Sequence, residues 1–276
     1  MKAAALPDIV RPGQSIELLK ELHILTRDGK LNQDSRRKLK QVYHLYHFIE
    51  PLLKEIVADG REPVLVDHGA GKSYLGFILY DLFFKSRDSG HIYGIETRSE
   101  LVDKTRELAR ALNFQRMTFL DIAADQAGNT PALATRIDIV TALHACNTAT
   151  DDAIRFALQK EVPFIVLVPC CQAEVTAALN RNKNKSFGLT ALSELWRHPI
   201  HTREFGSLIT NTLRCLLLES QGYTVTVTEL VGWEHSMKNE LIIARRQNTP
   251  RKNARARAEA ILHELNLEEL HDRFIY

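Results

Sequence analysis

The chain has 276 residues, which is enough for one large α/β domain with additions or for two small domains. Its 36 basic and 34 acidic residues nearly balance, so net charge alone points to no nucleic-acid partner. The apolar start of the chain is too short for a signal peptide, and no run reaches membrane-spanning length. Four cysteines without a disulfide-framework spacing favour a reducing cytoplasm, so we expect a cytoplasmic protein without membrane association.

Residues 1–60 are expected to form a helical extension. After a lead-in with one short helix, an amphipathic helix is predicted from Asp34, and Gly60 ends it. The start of this helix carries four basic residues, which are Arg36, Arg37, Lys38 and Lys40. They fit either a solvated helix face or a contact with a phosphate backbone.

The stretch Pro63–Phe84 predicts a buried strand, a glycine turn and a helix, in that order. The apolar strand leads into Asp67, and Gly69 and Gly71 mark a tight turn. After the turn, apolar residues recur at helical spacing. Glycines at this point allow the backbone to approach a ligand that lies over the start of the helix.

Two nucleotide-binding patterns fail in this turn. A Walker A loop would need glycine where Val66 stands, and a dinucleotide fingerprint would need its third glycine at Tyr74. The remaining pattern, Asp67 followed by G-x-G, resembles motif I of class I S-adenosylmethionine-dependent methyltransferases. In that comparison the carboxylate orients solvent or the ligand's ammonium group, and the glycines leave room for its methionine part. A glycine turn without a ligand is the alternative.

Further strands are expected at His91–Glu96, Met117–Leu120, Ile137–Leu143 and Val162–Val168. Their alternation with helices implies right-handed crossovers and a parallel sheet. Glu96 ends the second strand, where a carboxylate suits both hydroxyls of a ribose, although a surface glutamate fits as well. Asp121 ends the third, where it fits an acceptor for an adenine amino group or a helix cap.

The remaining chain is expected to add an insertion, a strand pair and a basic helix. Residues 170–205 show few strand signals and are interpreted as an insertion beside the site. Tyr223–Leu230 and Glu240–Ala244 predict an antiparallel pair that closes a domain over residues 61–246. Residues 247–276 predict a basic amphipathic helix. The basic residues of the insertion and of this helix are Arg181, Lys183, Lys185, Arg251, Lys252, Arg255 and Arg257.

Four segments together resemble one branch of the class I methyltransferases: DHGAGKSYLGF, LHACNTATDDAI, VPCC and HSMKNELIIA. This branch includes tRNA ribose 2′-O-methyltransferases, which are similar to the chain at His144, Cys146, Ala149, Thr150 and Asp151. The resemblance spans roughly residues 35–246. It implies a Rossmann-like seven-stranded sheet, mostly parallel, with helices on both faces and an antiparallel last strand. Asn147 departs from the glycine or aspartate common in relatives, which leaves a carboxylate role there in doubt.

S-adenosylmethionine is the cofactor that the resemblance implies. The residues expected to contact it are Asp67, His68, Gly69, Ala70, Gly71, Tyr74, Leu75, Glu96, Asp121, Ile122 and His144. The residues expected to take part in catalysis are His144, Cys146, Cys170, Cys171 and Lys238. The first four follow the fourth and fifth strands, so the ends of a parallel sheet would gather them near the cofactor.

Four roles stay open for the histidine and the cysteines. His144 or a neighbour could remove a proton from the acceptor while the pocket positions the reactants. A cysteine thiolate could instead add to a pyrimidine, or the set could hold zinc, although Cys170 and Cys171 are adjacent. Small buried cysteines also pack without chemistry, as we expect of Cys215. We predict no metal.

These features predict a methyltransferase that acts on RNA, either tRNA or rRNA. Two alternatives remain open: a non-catalytic cofactor-binding scaffold for an RNA or protein partner, and a methyltransferase for a small molecule or a protein. The sequence gives no oligomeric state.

Overall fold

A computed structural model describes residues 7–123, 126–143, 148–169, 173–185, 189–230 and 240–276. The strands are β1 (Val64–His68), β2 (His91–Glu96), β3 (Met117–Asp121), β4 (Ile139–Leu143), β5 (Phe164–Val168), β6 (Tyr223–Glu229) and β7 (Glu240–Arg246). They form one seven-stranded sheet in the order β3-β2-β1-β4-β5-β7-β6. β7 runs antiparallel to β5 and β6, and the other pairs are parallel, so the expected fold class is confirmed.

The helices are α1 (Ile16–Glu21), α2 (Gln33–Ala58), α3 (Tyr74–Leu79), α4 (Ser99–Ala111), α5 (Thr148–Gln159), α6 (Ala173–Arg181), α7 (Pro199–Ser220), α8 (Ala254–Glu264) and α9 (His271–Phe274). The predicted amphipathic helix is α2, which begins after Asn32 because that side chain accepts a hydrogen bond from the Ser35 amide. No described helix is long and apolar enough to cross a membrane.

Side chains of the central strand alternate between the two faces of the sheet. Leu65 packs in an apolar cluster with residues of α2, α3 and α4, whereas Val66 packs in a second cluster with α5 and α7. Both side chains are fully buried. The sheet is therefore covered on both sides, as its nearly continuous apolar strands require.

α7 is longer than the sequence indicated. In the sequence, helical spacing is continuous only over Ile209–Leu218, whereas the helix begins at Pro199, and proline is well tolerated in a first helical turn. In its first half the buried positions are Thr202 and Gly206, whereas Ile200 and Leu208 are exposed, so no apolar stripe marks the core-facing side. α6, α7, α8 and α9 share a third apolar cluster beside the sheet. The predicted organisation stays a prediction: a helical extension over 1–60, a domain over 61–246 with an insertion at 170–205, and a basic helix over 247–276.

Candidate cofactor site

The glycine turn after β1 has the backbone conformation that its sequence requires. Gly69 and Gly71 have φ values of +68° and +57°, in the left-handed region where a side chain is strained. The Ala70 amide donates to the Ile95 carbonyl of β2 at 2.9 Å, and the Ser73 amide donates to the Ala70 carbonyl at 2.7 Å. The turn is thus fixed to the neighbouring strand and leads directly into α3.

Asp67 lies under this turn and is 2 % exposed. Its carboxylate accepts a hydrogen bond from the Thr141 hydroxyl at 2.8 Å and a long one from the Ser73 hydroxyl at 3.5 Å. Burial raises the pKa of Asp67 to about 7, and these two donors offset only part of that effect. The group can therefore gain or lose a proton near neutral pH.

His68 points to the opposite face of the sheet from Asp67 and is also 2 % exposed. Its ring lies 6.0 Å from the ring of Phe156 in α5. Neither ring nitrogen has a hydrogen-bond partner among the described residues. Burial lowers the pKa of His68 to about 4, so the imidazole is neutral at physiological pH. A buried imidazole without partners is costly, which makes its nitrogens available to a ligand.

Glu96, at the end of β2, is 7 % exposed and faces the turn. Its carboxylate accepts hydrogen bonds from the Gly71 amide at 2.8 Å, from the amides of Thr97 and Arg98 at 3.0 and 3.1 Å, and from the Arg98 guanidinium at 3.0 Å. Burial alone would raise the pKa of Glu96, but the donors from Arg98 and Gly71 outweigh it and lower the pKa to about 2. The carboxylate is therefore ionised.

The other expected cofactor contacts occupy different environments. Asp121 is exposed at the end of β3, directly opposite Glu96 in the strand pairing. Ile122 and Tyr74 are half-buried beside the two apolar clusters. Leu75 is 1 % exposed and packs in the apolar cluster that also holds Leu65.

All five predicted catalytic residues, His144, Cys146, Cys170, Cys171 and Lys238, lie outside the described residues, and their roles stay predictions. The described strands nevertheless border all three of the segments concerned, since β7 begins directly after residues 231–239. Leu143 and Val168, the last residues of β4 and β5, are paired neighbours in the sheet. Within the described ranges, no group of three or more His, Cys, Asp or Glu side chains is placed to hold a metal ion.

A profile of the methyltransferase-domain family matches residues 37–178, which is just over half of the chain. The chain belongs to the methyltransferase-domain family. A search of curated proteins found no significant match for this methyltransferase-domain protein.

Solved structures resemble the domain at low sequence identity. Magnesium protoporphyrin IX methyltransferase (ChlM) from Synechocystis PCC 6803, with bound SAH, has a TM-score of 0.45 at 15% identity and covers 84% of this chain and 94% of its own. The N-terminal domain of human METTL16, with SAH, has a TM-score of 0.46 at 12% identity, with 83% and 78% covered. An rRNA methylase from Streptococcus thermophilus has a TM-score of 0.42 at 11% identity, with 67% and 87% covered. Likeness at this level says nothing about the methyl acceptor.

S-adenosylmethionine is the cofactor of this methyltransferase domain, and the described residues fit it. A Cβ at Gly71 would lie 3.6 Å from the Arg98 guanidinium and 3.9 Å from the Glu96 carboxylate, so any larger side chain would fill the space above that carboxylate. The turn and Glu96 together offer donors, acceptors and space at one edge of the sheet, and the buried His68 nitrogens have no hydrogen-bond partner among the described residues.

A cavity of about 460 Å³ adjoins the glycine turn of the methyltransferase domain, between α4, α3 and the end of α1. Its walls carry the polar residues Lys72, Lys104, Glu21, Glu107, His23 and Tyr74. The pKa of Lys38 in α2 is raised by its hydrogen bond to Asp34 and, less strongly, by Tyr74. Tyr74 of the cavity wall is thus within electrostatic reach of Lys38, which is ion-paired with Asp34 at 2.8 Å.

The structure adds three residues of the methyltransferase site that the sequence reasoning had not selected. Arg98 holds the Glu96 carboxylate, and Thr141 and Ser73 hold that of Asp67. The sequence offers a signal for Arg98, because an arginine two residues after the acidic end of a strand can reach that carboxylate. Thr141 carries no local signal, because it reaches Asp67 only through the pairing of β1 with β4.

Proposed function

We propose that this protein transfers a methyl group from S-adenosylmethionine to an RNA acceptor, either tRNA or rRNA. Family membership and the geometry of the glycine turn support cofactor use. The observation that carries the acceptor proposal is the cavity beside the turn, whose wall holds the lysines Lys72 and Lys104 as well as Glu21 and Glu107. An anionic polymer that is held there would lie along the edge of the cofactor site.

In this proposal Glu96 accepts the ribose hydroxyls of the cofactor. The carboxylate oxygens already accept several hydrogen bonds, and of these donors the Arg98 side chain is the most readily exchanged, since it is 61 % exposed. The backbone donors of Gly71, Thr97 and Arg98 then keep the carboxylate ionised and oriented. The ribose therefore competes with a guanidinium rather than with the backbone.

The bound cofactor supplies a methyl group activated by its sulfonium charge. The chain has two tasks, which are to position the acceptor in line and to take up the proton that the acceptor releases. We propose His144 as the proton acceptor. Asp67 lies under the turn and supplies a negative potential at the site whenever it is ionised.

Charge elsewhere gives the RNA proposal weaker support. Several basic residues outside the cavity are neutralised by acidic partners: Arg36 by Asp8, Arg181 by Glu269, Arg251 by Glu219 and Arg255 by Glu259. Exposed pairs of this kind contribute little stability and can exchange with phosphates. They therefore do not select an RNA surface on their own, and the cavity is the better guide.

The first test measures binding and transfer separately. Calorimetric titration of freshly purified protein with S-adenosylmethionine and S-adenosylhomocysteine should give micromolar affinity, or about 8 kcal/mol. Labelled donor with bulk tRNA and rRNA should then yield labelled RNA. Binding without transfer to any RNA would favour the scaffold alternative, and transfer to protein or small molecules alone would refute the RNA acceptor.

A second test addresses the cavity through Lys72. We expect Lys72→Gln to weaken tRNA binding and to reduce the magnitude of the salt-dependence slope by about 1, because one phosphate contact is lost. Affinity for S-adenosylhomocysteine should stay unchanged. Lys160→Gln, which removes the same charge just after the end of α5, is the matched control. Equal slopes for both variants would contradict an RNA contact at the cavity.

A further inference from the structure

A buried ion pair joins α5 to α7. Asp151 lies in the first turn of α5 and is 5 % exposed, and Arg214 of α7 is fully buried. The guanidinium donates through Nε at 2.6 Å to one carboxylate oxygen and through Nη2 at 3.0 Å to the other. This two-point geometry fixes both the distance and the orientation of the two side chains.

A second arginine reaches the same carboxylate from α9. Arg273 donates to Asp151 through Nε at 2.8 Å and also contacts it through Nη2. The same guanidinium forms an ion pair with Glu174, in the first turn of α6. Arg273 thus bridges the starts of two helices that follow adjacent strands of the sheet.

The contacts continue from Arg214 to the start of β7. Arg214 Nη1 donates at 3.1 Å to the side-chain oxygen of Asn211, whose amide group donates at 2.7 Å to Glu240, the first residue of β7. We call Asp151, Glu174, Asn211, Arg214, Glu240 and Arg273 the edge network. Charges alternate along it, with each arginine contacting a carboxylate.

The three acidic members of the edge network have a common placement. Asp151, Glu174 and Glu240 each lie within a few residues after the segments 144–147, 170–172 and 231–239. Those segments carry the predicted catalytic residues, and all three leave the sheet at its carboxyl end, because β7 is antiparallel to β5. One charged network therefore fixes the described residues at which all three segments rejoin the fold.

Stability alone does not account for these buried charges. Taking an arginine and an aspartate out of water costs several kcal/mol per ion, and well-packed apolar residues of similar volume are often as stable. Charged pairs do fix geometry, since they tolerate only one arrangement of donors and acceptors. α7 and α9 also contribute apolar residues to the third cluster, among them Leu213, Leu216 and Phe274.

We infer that Arg273 is a positioning residue for methyl transfer, and that it acts by holding Asp151 and Glu174 at the carboxyl edge of the sheet. The effect of Arg273 on catalysis rests on the proposed function, whereas its effect on the described residues that follow the three segments does not. Arg273 contacts neither Glu96 nor the glycine turn in the described part of the chain, so cofactor affinity is a separate readout.

The test combines Arg273→Met, which keeps much of the side-chain volume, with Arg273→Lys, which keeps the charge without the fork. Hydrogen exchange should accelerate at least tenfold in peptides 148–152, 173–177 and 240–244 of the Met variant, and less in the Lys variant. The kcat of transfer should fall about tenfold or more, while the Kd for S-adenosylhomocysteine stays within twofold. Arg203→Met, which removes an exposed α7 partner of the adjacent Glu204, is the control.

Faster exchange confined to residues 271–276 would overturn the inference, as would cofactor affinity that falls as much as kcat. If Arg273→Met does not fold, the test uses Arg273→Lys, which must then show a partial loss of hydrogen-exchange protection in all three peptides. If the unaltered protein methylates no RNA, the proposed acceptor fails, and the exchange data still decide whether the edge network holds the three borders.

Discussion

Asp67 makes the folding stability of this protein depend on pH in a defined interval. Its pKa is raised by burial from the ordinary value of 3.8 to about 7. Each unit corresponds to about 1.4 kcal/mol, so ionising this carboxyl in the folded state costs about 4 kcal/mol above pH 7. Because the folded state favours the protonated form, protonated Asp67 stabilises the fold. This contribution to the free energy of unfolding is fully present below pH 3.8 and is lost as the pH rises through 7.

Asp67→Asn removes the titration while keeping the side-chain shape and an acceptor for the Thr141 hydroxyl. The variant should gain stability relative to the parent by roughly 2 to 3 kcal/mol between pH 5 and pH 8. Urea unfolding of both proteins across this interval measures the difference. A difference in unfolding free energy that is the same at every pH would reflect altered hydrogen bonds. Only a difference that grows with pH supports the titration of Asp67.

Thr141→Val sharpens this test from the other direction. The Thr141 hydroxyl lowers the pKa of Asp67, so its removal should move the loss of stability to higher pH. Parallel stability curves for the parent and for Asp67→Asn would refute a carboxyl that titrates near neutrality. An unshifted curve for Thr141→Val would show that the hydroxyl does not control the pKa.

Two further predictions concern the turn and its neighbour. Gly71→Asp should abolish S-adenosylhomocysteine binding, because it places a carboxylate beside that of Glu96. Gly71→Ala should retain binding and cost about 1 to 2 kcal/mol of stability, because residue 71 has a left-handed backbone conformation. If Gly71→Asp gives the same titration heat as the parent protein, the turn is not part of the cofactor site. His68→Leu should raise stability by about 1 kcal/mol in thermal unfolding, since two buried nitrogens without partners in the described chain disappear; a fall would show that the imidazole is satisfied in solution.

The sheet was predictable because its strands are short apolar runs followed by polar or glycine residues. His91–Glu96 was predicted with its observed ends, since the run stops at an acidic residue that faces a turn. β1 extends two residues beyond the apolar run, through Asp67 and His68. Their side chains are buried by tertiary contacts with α3 and α5, and polar residues give no local sign of such burial.

The edge network was not predictable from local sequence. Asp151, Arg214 and Arg273 lie on separate helices, with 63 and 122 positions between the aspartate and its two partners. Helical periodicity identifies faces but does not identify which charged residues of distant helices meet. The same limit applies to the basic residues for which the sequence allows either a solvated face or a phosphate contact, several of which have acidic partners from other elements.

The position of β7 between β5 and β6 has a consequence for synthesis of the chain. β6 precedes β7 in sequence but pairs with β7, so residues 223–229 leave the ribosome before their partner strand exists. The sheet beyond β5 can be completed only after residue 246 has been made. Until then β6 is an unpaired strand, and threonines at alternate positions limit the apolar surface that it offers to other nascent chains.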